Sequence, residues 1–184
     1  MMRNFKIFAF LASLFVSASV FGQNEEKIRL TVLEPASETI DASSLSALCS
    51  RLNQAVSLNE MNSYDKNNRF LLYSEVSVVD TQKSTTVPAV YIAQIEMTVY
   101  FLDNEQKAIL AQETLTAKGT SATEDKAIAK AVKSIKSRDA KLKKVINIGR
   151  NKAAEILASE NENDDSAGYD DNAVPDVSWM KNRE

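Results

Sequence analysis

Histidine is absent from the 184-residue chain, and cysteine occurs once, as Cys49. The missing histidine excludes Ser-His-Asp and Cys-His nucleophilic catalysis, imidazole-based zinc sites and haem ligation by histidine. One thiol without a partner excludes an internal disulfide framework, and with no histidine beside it a structural zinc site as well. Only four glycines are present, and they lack the spacing that lets backbone amides wrap a phosphate. Gly119 stands alone before a helix start, and Glu124 and Asp125 in that first turn would repel an anion. After residue 22 no apolar run is long enough to span a bilayer as a helix. Carboxylate chemistry is the one catalytic class left. Its best pair, Glu96 and Glu113, reads as cross-strand neighbours on the wet face of a sheet, where glutamates are solvating groups. No catalytic residue, cofactor or metal is assigned, and the chain is read as not an enzyme.

What is present begins with a leader. Arg3 and Lys6 precede an apolar run from Ile7 to Phe21 that ends in small residues, the layout of a secretory signal peptide over residues 1–22. A cut after Gly22 leaves Gln23 as the new terminus, with Ser17-x-Ser19 as the alternative. No cysteine follows the run to carry a lipid. The expected location is therefore the periplasm or cell surface, soluble or peripherally associated. In that compartment the lone Cys49, beside the apolar face of a helix, reads as a small buried thiol.

Residues 23–158 read as one α+β domain. "KIRLTVLEP" alternates Ile28, Leu30 and Val32 and stops at Pro35, as a strand does. Leu45, Leu48, Leu52, Ala55 and Val56 then recur at helical spacing behind Asp41 or Ser43 as cap. "NSYDKNN" has loop composition. Three strands follow. Phe70, Leu72, Val76 and Val78 share a face of the first; Tyr91, Ala93, Ile95, Met97, Val99 and Phe101 share a face of the second; "AILAQETLTAKG" is the third. Their one-sided alternation marks half-buried antiparallel strands. Ser121 and Glu124 fit a capping box opening a helix with Ala127, Ile128, Ala131, Val132 and Ile135 on its apolar side, and Gly119 supplies backbone freedom before it. After a break at "SIKSRD", a last helix runs from Asp139 to Ala158. The order β-α-β-β-β-α-α gives a two-layer sandwich, a mostly antiparallel sheet of about four strands with two to three amphipathic helices on one face.

Charge is segregated along this order. Residues 23–125 carry 8 basic and 15 acidic side chains, residues 126–158 carry 10 and 2, and residues 159–184 carry 2 and 8. The last segment reads as an acidic disordered tail. Its cluster over residues 174–180 reads as a frayed terminus, with a short docking motif as the alternative. Lys126, Lys130 and Lys133 form a stripe at helical spacing, and Lys143, Lys144 and Arg150 extend the basic character into the last helix. These six are the candidate surface for an anion or a partner. An acidic sequence pI near 5.2, and a basic segment without aromatics, argue against nucleic acid. Anionic lipid headgroups or glycans, an envelope protein partner, or self-association through the acidic tail fit the compartment.

In their order, "IRLTVLEP", "LSALCSRLNQAV", "VYIAQIEMTVYFLD", "AILAQETLTAKGTS" and "EDKAIAKAVKSI" resemble the α/β module of the curli secretion channel CsgG and of the TolB amino-terminal domain. The resemblance spans most of residues 27–158. It implies an exported envelope protein that acts by assembling with partners and without a cofactor. The expectation is a non-enzymatic envelope or surface module, the alternative a subunit or accessory of a CsgG-like outer-membrane channel.

Overall fold

The computed structural model describes residues 28–161 and 178–180. The leader, and the acidic segment apart from residues 159–161 and 178–180, lie outside the described residues. The elements are β1 (Leu30–Val32), α1 (Ala42–Leu58), β2 (Asn62–Ser63), β3 (Phe70–Lys83), β4 (Tyr91–Asp103), β5 (Ala108–Ser121), α2 (Glu124–Ser134) and α3 (Ala140–Asn161), with a 3-10 turn at Ser178–Met180. They form an α+β fold with one sheet of order β2-β1-β3-β4-β5. The β1 strand runs parallel to both its neighbours, whereas β3, β4 and β5 form an antiparallel meander.

The sheet has five strands where about four were expected. The additional one, β2, lies inside the predicted loop, with Asn62 and Ser63 opposite Leu30 and Thr31. Two polar residues carry no alternation, so only the neighbouring β1 makes them a strand. Leu30 opens that pairing by donating its N–H to the Met61 carbonyl at 2.7 Å. Past Val32 the chain follows β3 irregularly because Pro35 has no N–H to give. Contact resumes where Ala36 donates to Ser74 O and Val76 donates to Ala36 O, both at 2.9 Å.

The predicted apolar faces meet in one core. From α1 come Leu48, Leu52, Ala55 and Val56; from β3 and β4 come Phe70, Leu72, Val76, Ile95, Met97, Val99 and Phe101; from the last two helices come Ala131, Val132, Leu142, Val145, Ile146 and Ala153. Asp41 is the cap of α1. Its carboxylate accepts from Ser44 N at 2.9 Å, and the Ser44 hydrogen bonds hold its pKa below the ordinary value.

Two expectations around α2 are corrected. The capping box does not form: Ser121 is the last residue of β5, opposite Tyr91, and the N-cap is Thr123, with no side-chain capping bond. Strand pairing commits Ser121 before the helix begins. Glu124 and Asp125 in the first turn still complement the helix dipole. Gly119 is not needed for a left-handed backbone, since no described glycine has positive φ. It is needed for closeness, because a Cβ there would overlap Ala127 O and Ala131 N of α2. Gly149 does the same for α3, whose backbone lies against the fully buried ring of Phe101.

Both glycines yield a direct test. Gly119→Ala meets rigid helix backbone and should cost about 3 kcal/mol or more, lowering Tm by roughly 10 °C. Gly149→Ala meets the Cβ and ring base of the fully buried Phe101 and should destabilise as well. Thermal unfolding of the two variants would refute the close-approach account if Gly119→Ala were neutral.

Candidate functional site

The six predicted basic residues are all exposed, on α2 and α3, but they are not equivalent. Lys130 reaches back to the sheet and donates to Thr120 O at 3.0 Å. Lys144 pairs with Glu113. Lys141, which the sequence reading left out, donates to Thr114 O at 2.7 Å. Lys130 and Lys141 thus occupy carbonyls of the edge strand β5, a device that blunts an edge against unwanted pairing. Lys126, Lys133, Lys143 and Arg150 remain as exposed cations. The structure therefore divides the predicted surface into residues that hold the helices to β5 and residues that present charge.

The expected pairing of Glu96 with Glu113 is corrected, and the cause is a bulge. Asp103 and Leu102 pair with Ala108 and Ile109, but Phe101 pairs with Ala111, so Leu110 is the extra residue. Every later side chain of β5 is thereby moved to the opposite face. Glu96 lies opposite Thr116 on the open face, whereas Glu113 lies opposite Val99 on the helix-covered face, next to Lys144. Two carboxylates on opposite sides of a sheet cannot share a proton or flank a substrate.

The turn before the bulge is set by a charged node. The Asp103 side chain is fully buried and accepts backbone N–H groups from Glu105 at 2.9 Å and Gln106 at 3.0 Å. The same carboxylate takes Arg69 Nη2 at 2.8 Å, and Arg69 also donates to Glu160 Oε1 at 2.8 Å and lies 3.3 Å from Glu105. Glu160 was read as part of the acidic tail; it stands on α3, which continues to Asn161. Its hydrogen bonds from Arg69 hold its carboxyl below the usual range, and burial pushes Glu105 up despite Arg69. The guanidinium is held well above its already high value, by the Glu160 bond first. Arg69 is thereby engaged by three carboxylates, so this node is a clamp.

The open face of the meander carries the groups the sequence reading missed. Its rungs run from Leu71, Leu102 and Ile109 through Tyr73, Tyr100 and Gln112 to Glu75, Thr98 and Thr114, and then to Ser77, Glu96 and Thr116. The rings of Tyr73 and Tyr100 stack with centroids 6.1 Å apart, and both hydroxyls donate to Glu75, at 3.2 and 3.5 Å. Burial, followed by the Glu75 charge, pushes the Tyr73 phenol up to about 12 and raises Tyr100. Thr98 and Thr114 share a hydrogen bond at 3.1 Å. Leu71, Tyr73 and Leu102 form a second apolar cluster, and against it pack Leu33, Ala36, Ile109 and, from the far end of the chain, Trp179 and Met180. Of the predicted 174–180 cluster, the described part is thus docked rather than frayed. The isolated Trp-Met pair in a polar segment was its only signal.

Cys49 is half-buried, and its thiol is pushed up by burial and by the Glu34 charge, in keeping with an inert packing role. A third feature is the outer half of the β3–β4 hairpin. Among the described residues, pairing on the β1 side of β3 ends at Val76, so residues 77–83 leave a free strand edge. Val79 is a second bulge there and is 54% exposed; Ile92 on the facing strand is 37% exposed and Val87 in the connecting loop 99%. Among the described residues no helix is long and apolar enough to cross a membrane.

No protein-family model matches the chain, and no curated protein matches it. Among solved structures it is similar to a PelC dodecamer from Paraburkholderia phytofirmans, with 16% identity, 66% of this chain and 85% of that one covered, and a TM-score of 0.40. It is also similar to a DUF330 protein from Xanthomonas campestris, with 15% identity, 72% and 88% covered and a TM-score of 0.43. A minor lipoprotein from Acinetobacter baumannii matches with 16% identity, 74% and 96% covered and a TM-score of 0.38. At these identities and scores the likenesses carry no inference about ligand or assembly. They do correct the resemblance to CsgG and TolB, since the matched proteins are of PelC and DUF330 type. The structure agrees: the long strands that a channel hairpin would need lie side by side in one sheet, with Ile95, Met97 and Val99 fully buried.

Three outcomes test these assignments. Arg69→Leu leaves the buried Asp103 charge unpaired and should cost about 3 kcal/mol, with Arg69→Leu/Asp103→Asn recovering part of it. The Glu160 contribution should be complete above its unfolded pKa and disappear as pH falls through its depressed folded value. Urea melts of wild type and Glu160→Gln should therefore differ at pH 7 and converge in acid. For Tyr73 the sign is opposite: stability is full below about pH 10 and declines as pH rises towards about 12. Ultraviolet titration of the native chain should show a late phenol step that Tyr73→Phe removes.

Proposed function

We propose that the protein is a non-enzymatic, exported envelope or surface module that works by associating with another protein through the outer β3–β4 hairpin. The observation that carries this reading is the free edge at residues 77–83, flanked by the exposed apolar side chains of Val79, Val87 and Ile92. A strand edge offers unpaired N–H and C=O groups to an incoming strand, and the apolar neighbours supply area to bury. The bulge at Val79 and the charges of Asp80 and Lys83 restrict which strand can pair. Export rests on the leader over residues 1–22. The placement of Glu96 and Glu113 on opposite faces supports a role without catalysis.

A second reading is supported by the exposed Lys126, Lys133, Lys143 and Arg150, namely contact with anionic headgroups or glycans. Sedimentation with anionic vesicles, lost on replacing these four by glutamine, would support it.

The association reading predicts that sedimentation velocity of residues 23–184 shows either a self-associated species or a crosslinked envelope partner. Val79→Lys should remove it, with the melting temperature held. A monomer at all salt concentrations that captures no partner by crosslinking would overturn the reading.

A further inference from the structure

The apolar end of the open sheet face is a seat built without the segment that fills it. Leu71 and Leu102 are fully buried members of adjacent strands, paired with each other in register. Tyr73 is fixed beside them by stacking on Tyr100 and by its bond to Glu75. Leu33, just past β1, and Ile109 of β5 flank them. Strand pairing and the Arg69 node hold these groups in place. The occupant described there is the turn Ser178–Met180, whose Trp179 and Met180 are both half-buried.

The occupant is also tethered. Sixteen residues, 162–177, separate α3 from Ser178, and they carry six acidic and no basic side chains. Such a length of chain can reach about 55 Å when extended. Seating in cis is therefore favoured by an effective concentration on the order of millimolar. A competing segment that offers the same two side chains, at higher affinity or concentration, displaces it.

We infer that this seat, formed by Leu33, Leu71, Tyr73, Leu102 and Ile109, is a receptor for an aromatic–aliphatic peptide segment of a protein partner, and that the chain's own Trp179–Met180 pair occupies it in cis as a resident competitor. The inference rests on the reading that the protein acts by protein association, but uses a different surface from the hairpin. The chemistry of the ligand is taken from the occupant: an indole over the tyrosine–leucine surface, followed by an unbranched thioether that adapts to the remaining space.

The test uses the full chain and a fluorescein-labelled synthetic peptide of residues 173–184. Fluorescence anisotropy should show the peptide binding Trp179→Ala/Met180→Ala at least about tenfold more tightly than wild type, because the competitor has been removed. Alanine in place of tryptophan in the peptide should abolish binding. Adding Ile109→Lys, at a half-buried rim position, to the double variant should weaken it by a similar factor. Equal affinity for wild type and double variant, or no binding to a double variant that still melts cooperatively, would overturn the inference. A wild-type dimer that depends on Trp179 would also overturn it, since the occupant would then be a second copy. Val79→Lys should leave peptide binding unchanged, so failure of the hairpin reading is distinguishable from failure of this one.

Discussion

The register of β4 against β5 is the constraint from which the rest of the molecule follows. It is set at the turn, where the buried Asp103 carboxylate gathers the N–H groups of Glu105 and Gln106, and Arg69 balances its charge. The next step along the strand is the bulge at Leu110. That single extra residue turns Glu113 towards α3, where Lys144 meets it, and puts Gly119 opposite Ala93, where α2 can lie directly on the backbone. Shifting the pairing by one residue would bring Thr120 or Lys118 under α2 and Glu113 into the open face, and neither helix could then pack.

The same node links the sheet to the end of the chain. Arg69 stands at the entry to β3, Asp103 at the exit of β4, and Glu160 on the last turn of α3. The acidic segment accordingly leaves the body from a fixed point. Its described return, Trp179 and Met180, lands on the face opposite the helices, over Leu71 and Leu102. The two faces of the meander thus differ in kind. One is sealed by three helices and a continuous core; the other is polar along most of its length and has its apolar cluster where the terminal pair sits.

This division explains why surface charge was an incomplete guide to function. The six candidate cations of α2 and α3 read as one basic surface, but Lys130 and Lys144 are spent on β5 and Glu113, as is the neighbouring Lys141 on β5. Their ammonium groups fasten helices and protect an edge, and only the remainder presents charge outward. The surfaces proposed to meet a partner, the free hairpin edge and the tyrosine-backed seat, are instead on strands whose local sequence is unexceptional.

Local periodicity by itself determined the long elements. Alternation in β3 and β4 and the helical spacing of α1 and α2 name their buried faces correctly, because burying one side of a strand or helix leaves a pattern of period 2 or 3.6. The α+β class and the one-sided helix layer follow from those patterns. Tertiary structure decided what has no local period. A two-residue strand exists because β1 lies beside it, and a bulge exists because Asp103 fixes the turn before it. An arginine binds carboxylates 34 and 91 residues away, and a Trp-Met pair finds the apolar end of a largely polar face. These depend on distances that close only when the chain is folded, and no window of sequence contains both partners.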